Sequence, residues 1–216
     1  MELYDAMSTL RAVRRLKSDP IPESVLDQVL TAATWAPTGG NHQAWRIIAV
    51  QDSAKKKALA ELYKPHWLGY VPAYEAALEG APSEVAEKSK RTLGAGTYLA
   101  EHLHEVPVIC VFCFSFDGIT VTDEGLDRQS VVGGGSIYPA VQNLLLAARH
   151  EGLGCVLTTL LCLEEPAVKD ILGLPEDWYT AAAVPMGYPV GSGHGSITRK
   201  PIDKMVFRDE YGEPWR

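Results

Sequence analysis

The apolar positions of the chain form two kinds of pattern, stripes at helical spacing and short continuous runs. One stripe comprises Val25, Leu26, Val29, Leu30 and Ala33. Pro22 suits the first turn before it, so residues 22–34 are predicted to form a helix. The run WRIIAV at Trp45–Val50 is typical of a strand. By the same criteria the sequence predicts helices at 4–16, 53–62, 84–105, 136–150 and 164–172, and strands at 107–114, 152–159 and 179–186.

Three segments stand out from this alternation. Residues 63–82 combine prolines and Gly80 with aromatic side chains, and we expect them to be irregular. The helix at 136–150 is apolar on most faces and is therefore predicted to be buried, at the centre of the packing or at a dimer interface. The charged tail 197–216 carries Phe207, Tyr211 and Trp215, so it is expected to dock on another surface, such as a second subunit. Strands and helices alternate loosely, which indicates an α+β or α/β class.

Composition and charge narrow the functional classes. The 216 residues fit one domain, and 46% hydrophobic content is that of a globular protein with a core. A net charge of −7 argues against bulk binding of nucleic acid or anionic membrane. The sequence shows neither a signal peptide nor an apolar run near the roughly 20 residues that span a bilayer, so a cytoplasmic location is expected.

Several well-known site motifs are missing or incomplete. No G-x-G-x-x-G follows a predicted strand, so a Rossmann dinucleotide site is unsupported. No Walker loop, H-E-x-x-H or G-x-S-x-G motif occurs. Cys110 and Cys113 form a C-x-x-C inside a strand-like run, where they would point to opposite faces, and we expect core cysteines there. His102 and His104 would not share a helix face, so no metal site is predicted.

Two basic clusters are unusual in an acidic chain. On the predicted first helix, Arg11, Arg14 and Arg15 would share one face. Like charges there repel one another unless an anion lies among them, and the planar guanidinium suits phosphate oxygens. The alternative is a solvated basic face or pairing with carboxylates. The second cluster, TRKP at 198–201, follows a Gly-rich turn that could fold it back onto the first.

Two loops also offer polar backbone and small side chains. In the loop after Pro37, Gly39 and Gly40 permit close approach and Asn41 offers a donor and acceptors. The alternative is a helix-to-strand turn with Asn41 in a left-handed conformation. Residues 152–161 (GLGCVLTTLL) predict a strand that enters a loop with the two hydroxyl groups of Thr158 and Thr159. The alternative is a buried strand in which both threonines make their hydrogen bonds within the core.

Six motifs occur in a fixed order: R-x-V-R at 11–14, D-P-I-P at 19–22, A-P-T-G-G-N-x-Q-x-W at 36–45, G-L-G-C at 152–155, P-M-G-Y-P at 185–189 and T-R-K-P at 198–201. In this order the chain resembles the FMN-dependent nitroreductase family from about residue 7 to 204. The resemblance implies an α+β fold with a mostly antiparallel central sheet flanked by helices, and an intertwined homodimer with two FMN sites at its interface. Residues 1–216 would form one FMN-binding domain, with a lid or insert at 63–96 and the tail 197–216 docked on the partner.

The resemblance also implies roles for individual residues, some of them contributed by the partner subunit. Arg11 and Arg14 would contact FMN, and Arg199 would close on its phosphate. The residues that would line the ring and ribityl chain are Pro37, Thr38, Gly39 and Asn41. The residues that would run beside the ring, with a backbone N–H near N5, are Leu157, Thr158, Thr159 and Leu160.

Three positions depart from the family pattern. Ala12 lies among the FMN contacts where serine is usual, so one hydroxyl contact is missing. Ala44 replaces the proline of the usual Q-P-W. Leu160 occupies a position often held by glycine, which narrows access over the ring. These differences bear on the substrate more than on FMN binding, and Gln43 and Trp45 are expected to fix the loop by packing.

The implied reaction is ping-pong: NADH or NADPH delivers hydride to flavin N5 and leaves before the acceptor enters. No catalytic side chain and no metal are required, because the flavin carries the electron chemistry. Nitroaromatics and quinones are flat, so Trp67, Tyr70 and Tyr74 are predicted to contact substrate from the lid, with Tyr63 and His66 in the same segment. The alternative for this segment is a loop that covers a core edge.

Other functions remain compatible with the same scaffold. They are reductive dehalogenation, flavin destruction, small-molecule dehydrogenation, and FMN storage without turnover. The sequence does not distinguish the physiological acceptor or the preferred hydride donor.

Overall fold

The computed structural model describes residues 1–216 and contains six helices and four strands. The helices are α1 Leu3–Thr9, α2 Glu23–Thr34, α3 Ser53–Ala76, α4 Ser83–His102, α5 Tyr138–His150 and α6 Glu165–Leu172. The strands are β1 Trp45–Val50, β2 Val108–Phe114, β3 Gly154–Cys155 and β4 Tyr179–Gly187.

The four strands form one sheet in the order β1-β2-β4-β3, and every pairing is antiparallel. In its register Trp45 lies opposite Phe114, and Val108 lies opposite Met186. The predicted α+β class with an antiparallel central sheet is therefore confirmed.

The sheet separates two hydrophobic cores. Successive β2 residues enter opposite cores, because side chains alternate across a strand. Cys110 and Phe112 pack with α2 and α5, whereas Val111 and Cys113 pack with α3, α4 and α6. The two cysteines thus face opposite sides of the sheet, and burial raises the pKa of both thiols to about 12.

Helix α5 packs against α2 on one face of the sheet. Its residues Ala140, Val141, Leu144 and Ala148 are buried. Its remaining apolar residues are half-buried, and Tyr138 and Gln142 are exposed. The predicted burial is confirmed for the face that meets the core.

The helix predicted at 4–16 is wrong beyond Thr9. Residues 10–17 are extended and bond to segments far along the chain: Val13 N–H donates to Cys155 O (2.9 Å), and Lys17 N–H donates to Tyr188 O (2.8 Å). Val13 and Leu16 are buried in this extended form. Their spacing of three imitated a helical stripe, so the single helix face for Arg11, Arg14 and Arg15 does not exist.

The irregular segment predicted at 63–82 is helical as far as Ala76. Asp52 caps α3 as predicted, with its carboxylate accepting from Lys55 N–H at 2.8 Å. The helix then continues through Pro65 and Pro72 instead of ending at 62. Packing on α4 and the central core outweighs the hydrogen bonds that the two prolines remove.

The strand predicted at 152–159 is much shorter than expected. Only Gly154 and Cys155 pair continuously with β4, and Thr158 makes one isolated bridge to Ala183. The other predicted elements lie within a few residues of their expected bounds. None of the helices has the length and apolar character needed to cross a membrane.

Candidate functional site

The extended N-terminal segment brings its arginines beside β3 and the Gly-rich turn 191–195. Arg11 Nε donates to Gly193 O at 2.9 Å. The backbone continues this contact, with Gly195 N–H donating to Thr9 O (3.2 Å) and Ile197 N–H to Ser8 O (3.3 Å). The turn therefore brings residues 195–197 to the start of the basic segment, and the expectation that the second cluster, 198–201, lies against the first stays a prediction.

Three of the predicted arginines have no acidic partner. Arg11, Arg14 and Arg199 form no salt bridge with any carboxylate, although acidic residues outnumber basic ones in the chain. Arg199 donates only to the adjacent Thr198 O (2.9 Å). The alternative of pairing with carboxylates is thereby excluded, whereas a solvated basic face stays open, because Arg11 and Arg199 are exposed. Arg15 differs, because its guanidinium lies 4.4 Å from the centre of the Tyr98 ring on α4.

The predicted flavin-side loop, residues 157–160, follows β3 directly. Leu157 and Thr159 are exposed, and their N–H groups donate no hydrogen bond within the chain. Thr158 is held by reciprocal backbone bonds to Ala183 of 2.9 and 2.8 Å. A fixed loop with two free N–H donors is suited to acceptor atoms on a planar ligand.

Tyr63 connects the loop to the basic segment. Its side chain is 3% exposed and belongs to the core, so the expectation that it forms part of a lid is wrong. Burial raises the pKa of the Tyr63 phenol, and the adjacent Thr158 hydroxyl and Arg14 cation act in the opposite direction. Thr158 and Arg14 therefore lie close enough to the Tyr63 phenol to affect its ionisation.

The predicted flavin loop at 37–41 lies elsewhere, against the N-terminal approach to α5. Gly39 N–H donates to Ser136 Oγ at 3.1 Å. Gly40, Asn41 and Gln43 have positive φ values of 56°, 56° and 51°. Both interpretations of this loop thus remain, since it is a left-handed turn and still exposes Pro37, Gly39 and Asn41.

Gln43 and Trp45 fix the loop, as expected. Gln43 N–H donates to Thr38 Oγ1 at 3.1 Å, and its side-chain amide donates to Asn41 Oδ1 at 3.1 Å. Trp45 is buried and packs 6.1 Å from the Phe112 ring. The strained turn is therefore preorganised by its own residues.

The chain brings together only part of the predicted site. Arg11, Arg14, residues 157–160 and the segment before Arg199 meet around β3. No hydrogen bond or salt bridge connects loop 37–41 to Arg11, Arg14 or Arg199. The two parts of the predicted site are thus not joined by a polar contact within one subunit.

A cavity of about 970 Å³ opens beside Thr159. Its apolar wall includes Phe114, Phe116 and Tyr138, and its only charged lining residue is Glu124. Phe114 and Phe116 meet edge to face with ring centres 5.0 Å apart. This size and lining suit a flat aromatic molecule.

One side of the cavity is formed by the loop after β2, which a buried carboxylate organises. Asp123 accepts from Ser130 Oγ (2.7 Å), Val131 N–H (3.0 Å) and Arg128 (2.6 Å). These donors hold the pKa of Asp123 well below its usual range, the Ser130 hydroxyl most of all. Asp123 therefore remains ionised and shapes the loop that carries Glu124.

The predicted substrate residues lie on α3 in a row of rings, outside this cavity. Trp67 packs against α4 at Gly96 and donates to Thr97 Oγ1 at 3.1 Å. Tyr70 follows at 6.1 Å and Tyr74 at a further 5.8 Å. Tyr70 is 51% exposed and remains available to a ligand. His66 instead contacts Glu164 at 2.7 Å.

Sequence reasoning missed three parts of this region. The F-C-F-S-F run at 112–116 was a readable signal for aromatic residues on one strand face. Glu124 lies in a loop without a local signal. His194, whose Nε2 lies 2.8 Å from Leu153 O, is brought to the turn by a contact that no local pattern reveals.

The residues around β3 fit the flavin mononucleotide that the motifs imply. Unpaired arginines suit the phosphate, and the free N–H groups of Leu157 and Thr159 suit the polar edge of the ring. Ala12 is exposed in the same segment and offers no side-chain hydrogen bond. Leu160 is half-buried at the end of the loop.

Comparison with known proteins gives consistent results. The model of the "Nitroreductase family" matches residues 9–188. A protein named NADH dehydrogenase from Thermus thermophilus is 28% identical, over 91% of each chain. Iodotyrosine deiodinase 1 from Rattus norvegicus is 27% identical, over 95% of this chain and 68% of its own. The structure of NADPH:FMN oxidoreductase from Vibrio harveyi, complexed with NAD+, superposes with a TM-score of 0.68 at 20% identity, covering 98% of this chain and 78% of that one.

Proposed function

This chain belongs to the nitroreductase family of FMN-dependent NAD(P)H oxidoreductases, and we propose that it reduces nitroaromatics, quinones or similar flat acceptors by a ping-pong mechanism in the cytoplasm. The observation that carries the proposal is the basic segment with Arg11 and Arg14 beside β3, next to the free N–H donors of Leu157 and Thr159. When bound, FMN accepts hydride from NADH or NADPH and passes the electrons to the acceptor. The remaining tasks belong to the chain itself.

The first task is to hold an anionic cofactor. Arg11, Arg14 and Arg199 neutralise the phosphate, and charge-assisted hydrogen bonds of this kind contribute roughly 1.5–3 kcal/mol each. The N–H groups of Leu157 and Thr159 donate to the ring edge. Tyr63 lies in the core near both groups, since Thr158 and Arg14 both affect the pKa of its phenol.

The second task is to receive the acceptor. The cavity beside Thr159 supplies aromatic walls. Trp67, Tyr70 and Tyr74 lie outside it on α3, so their role as a lid stays a prediction. Glu124 is the only charged group of the cavity lining, so neutral and cationic acceptors are favoured over carboxylates. Matched nitrobenzyl alcohol, nitrobenzylamine and nitrobenzoate test this order, and the same KM for all three would contradict it.

The third task is to complete the site, which we assign to an intertwined homodimer. Loop 37–41 is exposed and separate from the arginines, so in the dimer it contributes to the partner's site. The tail 197–216 supports this assembly, because Ile202, Met205 and Tyr211 are 50%, 64% and 95% exposed. These side chains become buried when the tail docks on the partner.

Steady-state kinetics test the reaction itself. Oxidation of NADH or NADPH is measured at several concentrations of a quinone. Parallel double-reciprocal lines are expected, because the donor leaves before the acceptor enters the same cleft. Intersecting lines would contradict the ping-pong order, and absence of turnover by FMN-loaded protein would favour a storage role.

Reductive dehalogenation is the second candidate, favoured by the likeness to iodotyrosine deiodinase 1 over 95% of this chain. The reduced protein is incubated with a halogenated phenol under anaerobic conditions, and halide release is measured. Halide release that is faster than quinone reduction would favour reductive dehalogenation over the main proposal.

A further inference from the structure

His194 lies at the centre of a small network behind the predicted phosphate arginines. Its Nε2 lies 2.8 Å from Leu153 O, just before β3. A carbonyl oxygen can only accept, so Nε2 carries the proton and donates. This bond attaches the turn 191–195 to the edge of the sheet.

The same turn holds Arg11 directly. Gly193, on one side of His194, accepts from Arg11 Nε at 2.9 Å. Gly195, on the other side, donates to Thr9 O at 3.2 Å. Gly193 has a φ of 63°, and a Cβ atom there would lie 2.5 Å from Pro189. The turn therefore has little freedom once His194 is bonded.

The other ring nitrogen of His194 has no partner. Nδ1 is buried and makes no hydrogen bond. The charged groups whose cations lower the pKa of the ring are Arg149, from the end of α5, and Arg11, from the extended segment. Neither arginine forms a salt bridge, and Arg149 Nε donates to Thr9 Oγ1 at 3.0 Å. A proton on Nδ1 would thus add a third positive charge without an acceptor.

We infer that His194 is a positioning residue for the phosphate end of the flavin site: through the turn 191–195 it holds Arg11 in place, and its free Nδ1 takes up a proton when a phosphate monoester neutralises Arg11. This inference rests on the proposed function, because Arg11 is assigned to the phosphate there. It concerns a residue that neither the motifs nor the comparisons assign.

The direction of the pH dependence follows from the surrounding charges. Burial lowers the pKa of His194, the bond to Leu153 O raises it, and the charges of Arg149 and Arg11 lower it further. A phosphate beside Arg11 offsets part of the cationic charge, so the pKa of His194 is higher in the complex than in the free protein. By linkage, His194 strengthens phosphate binding as the pH falls between these two pKa values.

The test compares FMN with riboflavin, which lacks the phosphate. Dissociation constants are measured by quenching of flavin fluorescence at pH 8 for the wild type, His194→Ala and His194→Gln. Loss of the positioned Arg11 in His194→Ala is expected to weaken FMN binding about tenfold, the effect of one weakened charge-assisted hydrogen bond, and to leave riboflavin binding unchanged. His194→Gln keeps an N–H donor and is expected to recover most of this loss. His104→Gln, an exposed histidine outside the network, is the matched control.

The second arm repeats the measurement at pH 6. The ratio of the FMN dissociation constants of His194→Gln and wild type is expected to increase from pH 8 to pH 6, because only the wild type can take up the proton at Nδ1. The titration of the phosphate itself is common to both proteins and cancels in the ratio. If His194→Ala does not fold, the comparison of His194→Gln with wild type at the two pH values still tests proton uptake at Nδ1.

Three outcomes overturn the inference. An equal loss of FMN and riboflavin affinity would show a general structural role, and a ratio independent of pH would exclude proton uptake at Nδ1. Wild-type protein that binds riboflavin and FMN equally well would remove the phosphate site itself. If the wild type binds neither flavin, the proposed function fails as well, and the two failures are thereby distinguished.

Discussion

At the residue scale, the chain shows two different uses of arginine. Arg128 has a carboxylate partner at 2.6 Å, and together with Ser130 it organises the loop around Asp123. Arg11, Arg14 and Arg199 have none, in a protein of net charge −7. Only Arg128 of the ten arginines makes a salt bridge, so the lack of a carboxylate partner does not by itself mark an anion site. Arg11 and Arg14 are distinguished by their position in the segment beside β3, near the free N–H groups of Leu157 and Thr159.

Removing these charges should weaken FMN and not riboflavin. Arg14→Ala and Arg199→Ala are each expected to cost roughly 1.5–3 kcal/mol of FMN binding free energy, because each removes a charge-assisted bond to the phosphate. Titration of each variant with both flavins checks this. Arg91→Ala, an exposed arginine of α4 without a partner, serves as the control. Unchanged FMN affinity in a variant that combines Arg14→Ala with Arg199→Ala would refute the assignment of these arginines to the phosphate.

At the element scale, the packing of α3 on α4 depends on one close approach. A Cβ atom on Gly96 would lie 2.0 Å from the Trp67 ring, whereas Gly94, two residues earlier on α4, has nothing within 4 Å. Gly96→Ala is therefore expected to destabilise the protein by about 1–3 kcal/mol through overpacking. Gly94→Ala should instead stabilise it by about 0.5–1 kcal/mol, since alanine favours a helix over glycine. Urea unfolding of the two variants tests this, and the same sign for both would contradict the packing described.

The loop after β2 should respond to acid through Asp123. Three donors stabilise its ionised form, so its folded pKa is lower than its unfolded value of about 3.9. The resulting stability is fully present above pH ~4 and is lost as the pH falls from there towards the folded pKa. The stability difference between wild type and Asp123→Asn should thus be constant from pH 7 to 5 and shrink at pH 3. Urea unfolding at these pH values checks this, and a difference independent of pH would exclude the proposed role of the carboxylate.

The strength of the local sequence pattern decides which helices and strands were predictable from the sequence. Helix α2 and strands β1, β2 and β4 have strong local patterns and buried interiors, so periodicity predicted them within a few residues. The helix prediction for segment 10–17 was wrong because the backbone partners of this segment, Cys155 and Tyr188, lie far along the chain. Helix α3 was cut short because Pro65 and Pro72 suggest breaks, and only tertiary packing shows that the helix continues.

The candidate site was predictable to a similar extent. The motif order identified Arg11, Arg14 and the loop 157–160, which lie around β3, and Arg199, whose role stays a prediction. It could not reveal His194 or the separation of loop 37–41 from the arginines, because both depend on long-range contacts or on a second subunit.

At the scale of the whole molecule, we propose that a second subunit completes the site and that the tail 197–216 contributes to the interface. Strand β1 lies at the sheet edge and pairs only with β2, so half of its backbone groups face outward. Removal of residues 202–216 keeps Arg199 but deletes the exposed apolar side chains of the tail. We expect the truncated protein to shift towards monomer in sedimentation velocity and to lose FMN affinity at the same time. A truncated protein that remains dimeric with unchanged FMN affinity would exclude the tail from the interface.

The most direct test of the central claim is the visible absorption spectrum of FMN-loaded protein during anaerobic titration with NADH and NADPH. Bound oxidised flavin is expected at one equivalent per chain, one of the two donors should bleach it, and a quinone or nitroaromatic should restore it. Protein that cannot be loaded with FMN, or whose bound flavin neither donor reduces, would contradict the assignment of this chain as an NAD(P)H-dependent flavin oxidoreductase.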